Sequence, residues 1–267
     1  MTEEDFLIAE EQELLHSTLE EVHQEIPANS KSLLISDTTS RFSSAIWYDK
    51  IQSKEVVLAG VGGIGSYVAY NLSRLNVNRI IAYDPDKVEV VNMSGQLFSS
   101  LQVGMHKTDA VYNTISSYSD FYRYNSCRER YDEDSVVKPI MICGFDNMEA
   151  RRVFFDNWLK ATRAFNAEDC LFIDGRLAAE EFQIFCIKGD DEYNIKRYQE
   201  EFLFTDEEAD ATLCSYKQTT FCANMIASYM VNLFVNFCAN QCEPLIDRDL
   251  PFYTFYNAET MFLRTEK

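Results

Sequence analysis

Val56 to Gly65, VVLAGVGGIG, runs a short β-branched apolar stretch straight into four glycines, and Ser66 to Leu75 follows with helical spacing. That order is what a phosphate-binding turn requires. Gly60 makes the tight turn off the strand, Gly62 or Gly63 removes a side chain where backbone meets a phosphate, and Gly65 lets helix pack on strand. The helix N-terminus then offers free N–H groups to an anion. A second apolar strand, Ile80-Ile81-Ala82-Tyr83, ends in Asp84, roughly 20 residues beyond Gly65, where a ribose-binding carboxylate belongs. Ligands of open α/β sheets sit at strand carboxyl ends, which here carry Asp84 with Asp86, Gly144 to Asn147, and Asp174-Gly175-Arg176. Asp146 has two readings. It holds Mg²⁺ beside phosphate oxygens, or it caps the next helix together with Asn147.

The elements that position these residues alternate from Glu55 onward, which predicts a largely parallel sheet with helices on both faces. Helices are expected at about 107–118, Met148 to Phe165 and Ser215 to Asn240. Further strands are expected at Pro139–Cys143, Leu171–Asp174, Glu181–Ile187 and near 252–264. Residues 188–213 are strongly charged and read as a mobile excursion. Residues 1–40 read as an acidic N-terminal helical extension, amphipathic from Glu3 to Ile26, and 41–267 as the nucleotide-binding domain.

Composition excludes several classes. The 267 residues are 46% hydrophobic, enough for a sizeable core. A net charge of −19 disfavours nucleic acid and anionic membrane surfaces, which need clustered Lys and Arg. The first residues lack the basic and apolar regions of a signal peptide, and Gln218–Gln241, with four asparagines, reads as a buried helix, so a cytoplasmic protein is expected. Eight cysteines form no CxxC pair, which points to reduced, mostly structural thiols and no zinc.

These pieces resemble the ThiF/MoeB/HesA family, the adenylating domains related to ubiquitin-activating enzymes, over roughly residues 41–240. Arg41-Phe42-Ser43 matches its RYSRQ-like opening, Gly60 to Gly65 its GxGGxG, and Asp84-Pro85-Asp86-Lys87-Val88-Glu89 its D-x-D-x-V-E element. Asn92-Met93-Ser94-Gly95-Gln96 stands at N-x-x-R-Q, Gly104 to Lys107 at G-x-x-K, Asp146-Asn147 at the D-N pair, and Cys214-Ser215 at the cysteine before the long helix. NMSGQ (Asn92 to Gln96) combined with DGRLAAEEFQ (Asp174 to Gln183) and CSYKQTTFCAN (Cys214 to Asn224) looks most like the phage-borne branch. The resemblance implies a Rossmann-like, doubly wound, mostly parallel α/β fold and an ATP- and Mg²⁺-dependent adenylyltransferase. Its substrate would be the C-terminal carboxylate of a ubiquitin-like protein, small carrier or peptide ending in glycine, and the enzyme a homodimer. By resemblance Asp84, with Asp86 beside it, holds the ribose, Lys107, Asn92 and Gln96 meet the phosphates, Asp146, next to Asn147, holds Mg²⁺, and Arg41 reaches a phosphate across the dimer. The family arginine before Gln96 is Gly95 here, which removes a bidentate phosphate clamp. Arg176 is the expected substitute. Cys214 either carries an acyl group, with a thiol acidified by the helix N-terminus, or simply precedes a helix capped by Ser215. Two other readings stand beside this one: an interaction or regulatory protein that kept the pocket and lost activation, and an NAD-dependent oxidoreductase, which needs neither Lys107 nor Asp146.

Overall fold

The computed structural model describes residues 38–204 and 218–267; the expected N-terminal helix and Cys214 lie outside them. Residues from Thr39 to Lys267 form one compact unit. After helix α1 (Tyr48–Gln52) the chain enters β1 (Glu55–Ala59), α2 (Gly63–Arg74) and β2 (Arg79–Tyr83). Two short 3₁₀ turns, Val90–Ser94 and Ser100–Gln102, lead to α3 (Lys107–Ser119) and β3 (Tyr124–Cys127). Next come β4 (Ile140–Cys143), α4 (Met148–Ala164), β5 (Leu171–Ala178) and β6 (Glu181–Lys188). Helix α5 (Glu192–Arg197) runs into a π-helical turn (Tyr198–Phe202), and α6 (Thr220–Asn240) precedes the hairpin β7 (Tyr253–Asn257) and β8 (Phe262–Glu266).

The eight strands form one sheet in the order β3-β2-β1-β4-β5-β6-β7-β8. The first five pair in parallel, with Val56 opposite Ile80 on one side and Ile140 on the other. The last three add on antiparallel. Because side chains alternate along a strand, Val56, Leu58, Ile140, Ile142, Leu171 and Ile173 pack under α2, α3 and α6. Their neighbours Val57, Ala59, Met141, Cys143 and Phe172 pack under α4 and the π turn. The result is the expected layered α/β arrangement, helices on both faces of a mostly parallel sheet.

Helix α6 is long and apolar enough to span a membrane by length and composition, yet just over half of that window, 56%, is buried inside the protein. Its buried face, from Cys222 and Ile226 to Met230, Phe234 and Phe237, is part of the core under the sheet. Among the described residues all seven cysteines are free thiols and five are buried. Burial pushes the thiols up, Cys186 and Cys238 to about 12 and Cys170 to about 11, so they behave as small apolar groups.

Two expectations are corrected. The expected strands leave out β3 (Tyr124–Cys127), whose residues are half-buried or exposed at the sheet edge and therefore lack an apolar run. The charged stretch after Lys188 is not an excursion up to residue 204. Tyr198 in its middle is fully buried against Phe155, Phe172 and Phe185, while Lys196–Glu200 and Arg197–Glu201 pair along its surface.

Phe172 is the centre of the α4-side core. It is fully buried and its ring meets Phe155 at 5.0 Å, Trp158 at 5.4 Å and Tyr198 at 5.5 Å. Phe172→Ala should lower unfolding free energy by about 3–5 kcal/mol. Urea unfolding would show this as a lower midpoint with an unchanged slope; an unchanged midpoint would mean that the aromatic cluster is not a cooperative core.

Candidate nucleotide site

The parallel strands β1 and β4 are sheet neighbours, but their outgoing chains turn to opposite faces, α2 to one and α4 to the other. That divergence opens a crevice at their carboxyl ends. The glycine turn sits there. Gly60 has φ +80°, and a Cβ on it would lie 2.8 Å from the Gly144 carbonyl oxygen. A Cβ on Gly65 would lie 1.9 Å from the Gly60 carbonyl oxygen, so the start of α2 rests directly on the turn. The backbone is pinned on both sides: Gly60 N donates to Tyr83 O and Gly144 N to Ala59 O, each at 2.9 Å. Gly62 is the N-cap of α2 and brings no side-chain acceptor. The first-turn N–H groups of a helix have no intrahelical partners. They face the crevice with the positive end of the helix dipole.

Asp84 ends β2 beneath this turn. Its Oδ2 accepts from Val61 N and its Oδ1 from Asp86 N, both at 2.9 Å. Burial raises the Asp84 carboxyl, opposed by the Lys107 charge and by these two N–H donors. Each carboxylate oxygen keeps a second lone pair, so the group can tie the turn and still accept a sugar hydroxyl. Lys107 opens α3. Its Nζ lies 2.8 Å from Asp86 Oδ2, with the lysine side chain 11% exposed and the aspartate 63%.

Asn92 lies in the first 3₁₀ turn, where its Oδ1 accepts from Glu89 N at 2.8 Å in a reciprocal capping arrangement. Gln96 reaches over the glycine turn, 3.7 Å from where a Gly62 Cβ would stand, and its Oε1 is buried without a partner. Asp146 is exposed, and Asn147 Nδ2 approaches its Oδ1 at 3.4 Å. Asn147 performs the capping: its Oδ1 accepts from Ala150 N at 2.8 Å. Arg41 is exposed ahead of α1.

Arg176 does not stand where the missing arginine would, and that expectation is corrected. Alternation along β5 turns Asp174 and Arg176 toward α4, while Gly175 faces Met230 and Ile226 of α6. Arg176 Nε contacts Asp174 Oδ2 at 2.8 Å, its Nη2 donates to Phe202 O at 2.9 Å, and its guanidinium lies 4.7 Å from the Phe185 ring centre. The residue beside Gly95 is Gln218.

Arg151 was not among the expected site residues. It pairs with the fully buried Asp174, donates to Gly175 O at 3.2 Å and holds the Phe145 carbonyl just before Asp146. The available signal was a basic residue on the apolar stripe of α4, in line with Met148, Phe155 and Trp158. Tyr198 completes the network by donating to Asp174 Oδ2 at 2.9 Å. Burial alone would raise the Asp174 carboxyl; Arg151 and Arg176, with the Tyr198 hydroxyl, outweigh it and hold the group below its usual range.

A nucleotide's phosphates fit the turn, because the open helix N-terminus and Lys107 converge on it and the Gln96 amide, whose NH₂ can donate, lies beside Gly62. Among the described residues no group of three or more His, Cys, Asp or Glu could by itself hold a metal ion. A divalent cation at Asp146 would therefore take further ligands from phosphate oxygens.

A family profile described as "ThiF family" matches residues 34–266. Among curated proteins, a 69-residue stretch is 42% identical to Ubiquitin-like modifier-activating enzyme 5 of Oryza sativa subsp. japonica, covering 26% of this chain and 16% of that one. The Caenorhabditis elegans enzyme is 40% identical over 121 residues, 39% of this chain and 29% of its own. The matched segments thus span less than a third of those relatives. Among solved structures, PaaA superposes with a TM-score of 0.64 at 16% identity, covering 97% of this chain and 82% of PaaA. Escherichia coli MccB with ATP gives 0.60 at 17% identity, covering 91% and 73%. These two likenesses establish a shared fold.

A carboxyl that ionises more readily when folded stabilises the protein above its unfolded pKa, about 3.9 for Asp, and loses that contribution as pH falls further. Asp174→Asn should cost about 3–5 kcal/mol near neutral pH, because it leaves two buried guanidiniums short of a counter-charge. Denaturant unfolding at a series of pH values should show the gap to the native protein narrowing as pH drops below about 4. A gap independent of pH would contradict the charge argument.

Proposed function

The chain belongs to the ThiF family, and from that premise we propose that it is an ATP-dependent adenylyltransferase acting on the C-terminal carboxylate of a ubiquitin-like protein, small carrier or peptide. The observation that carries this reading is the glycine turn with its open helix N-terminus at the β1–β4 crevice, flanked by Asp84 and Lys107. Fold neighbours support it: MccB has been solved with ATP and with MccA.

In this reading a carboxylate oxygen attacks the α-phosphorus, the bond to the β-phosphate oxygen breaks, and pyrophosphate leaves with the electron pair. Little covalent work falls to the protein, so its contribution is positioning and charge stabilisation. Asp84 receives the ribose hydroxyls. The first-turn N–H groups of α2 and the amides of Asn92 and Gln96 meet phosphate oxygens. Lys107 exchanges its exposed partner Asp86 for a phosphate. Asp86 is 63% exposed, so water can take the place of Lys107 on it when the lysine turns to a phosphate. Asp146 would hold Mg²⁺, which supplies charge neutralisation of the triphosphate. Val90, Val91, Leu101 and Val103 are exposed on the turns between β2 and α3, and they suit burial against a second copy whose Arg41 completes the phosphate contacts.

A second reading, a nucleotide-binding protein without activation, rests on Gly95. Loss of one transition-state charge contact lowers rate by roughly 10²–10³. ATP–pyrophosphate exchange with candidate peptides ending in glycine separates the two. The enzyme reading expects exchange that Lys107→Ala lowers about 10²-fold. It also expects Gly65→Ala to abolish ATP binding, since its Cβ would meet the Gly60 carbonyl oxygen at 1.9 Å. Tight ATP binding with no exchange for any acceptor would favour the second reading.

A further inference from the structure

Gln218 lies just ahead of α6 in a slot that only glycines leave open. A Cβ on Gly63 would stand 2.0 Å from its Oε1, and a Cβ on Gly95 would stand 2.9 Å from its Cγ. Both distances are far inside van der Waals contact, so a side chain at either glycine would expel the glutamine. The segment is held from both sides. Gln218 bridges Ala179 through the backbone, and the Thr220 hydroxyl donates to Ser94 O, immediately before Gly95. Gln96, with its buried unpartnered oxygen, approaches the same turn at Gly62. Two amides from separate segments therefore converge on the first turn of α2.

The Gln218 amide is seated on the Cα face of Gly63, the side from which a Cβ would project. It stands beside the helix N–H groups without replacing them, and α2 carries no side-chain N-cap. An amide at this place offers two N–H donors and no charge. Position 95 carries no side chain, so the arginine expected there cannot serve the phosphates, and Gly95 is what admits the glutamine. We propose that Gln218 is a nucleotide-contacting residue whose amide donates to a phosphate oxygen in place of the absent arginine. This rests on the nucleotide reading above and adds to it a residue to which the resemblance assigned no role.

The test is calorimetric titration of the full chain with ATP and Mg²⁺, with unliganded melting as the control for folding. Gln218→Ala should weaken ATP binding about tenfold, the usual cost of one hydrogen bond to a charged group. Gln218→Asn, which keeps an amide but withdraws it by one methylene, should give a similar loss. Gln218→Glu should weaken binding further and in a salt-dependent way. Gly95→Arg in the Gln218→Ala background should regain the affinity, because the emptied slot then accepts a bidentate guanidinium. Native-like or tighter binding by Gln218→Ala would overturn the proposal and leave the glutamine as mere filling. Failure of the native chain to bind ATP at all would instead bring down the nucleotide reading, and this inference with it.

Discussion

The contact on which the rest depends is backbone against backbone, where Gly65 meets the Gly60 carbonyl at a distance no β-carbon tolerates. A glycine within a helix costs roughly 0.5–1 kcal/mol relative to alanine. Here that cost brings the helix axis onto the strand end, which no larger residue permits. Once α2 starts on top of the turn, its dipole points at the β1–β4 crevice. Asp84 can then reach Val61 from the end of β2, and Asp86 follows into the pairing with Lys107. The phosphate-facing surface is thus a consequence of one close approach, and its side chains are arranged around it.

The opposite face of the sheet solves a different problem. Asp174 is wholly buried, and a lone carboxylate there would be costly by several kcal/mol. Arg151, Arg176 and Tyr198 satisfy it from three separate elements. Well-packed apolar residues could match such a network in stability, so stability alone does not account for it. Its geometry does more, because Arg151 also grips the Phe145 carbonyl. Phe145 immediately precedes Asp146, so the buried charges fix the loop that carries the exposed carboxylate. One face shapes the phosphate turn, and the other sets where a metal-binding carboxylate would stand.

Much of this was legible in the chain. The glycine turn, Asp84 at the end of β2 and the sequence of alternating elements follow from local rules of spacing and apolar patterning. Helix α4 was placed to within a residue because Asn147 caps it and its apolar stripe is strong. What failed was information that period and composition do not carry. β3 is a polar edge strand with no apolar run. The π turn is hidden among charges because its anchoring depends on one residue, Tyr198, reaching the sheet core. Arg176 is expected to replace the arginine missing at position 95 because its position at a strand end is visible, whereas the face it points to depends on the register of β5. Gln218 was invisible for a related reason, since its neighbours Gly63 and Gly95 are more than a hundred residues away in sequence.

The distribution of positive charge sharpens what kind of adenylating site this would be. The chain carries a net charge of −19, and two arginines at the ends of these strands and helices are committed to Asp174. Position 95 supplies none. Lys107 is the cation tied to the turn, and it is shared with Asp86 and with the field of Asp84. A triphosphate placed here would be met chiefly by dipoles: the α2 N-terminus, the Asn92 capping turn and two glutamine amides. Dipoles fixed by packing stabilise developing charge without reorganising, but each carries less than a guanidinium does. A metal ion at Asp146 or an arginine from a second copy, both part of the proposed reading, would add charge that the described residues at the turn do not supply. On the proposed reading, such a site would bind nucleotide through its own fold and would draw on those external charges for the rate of the chemical step.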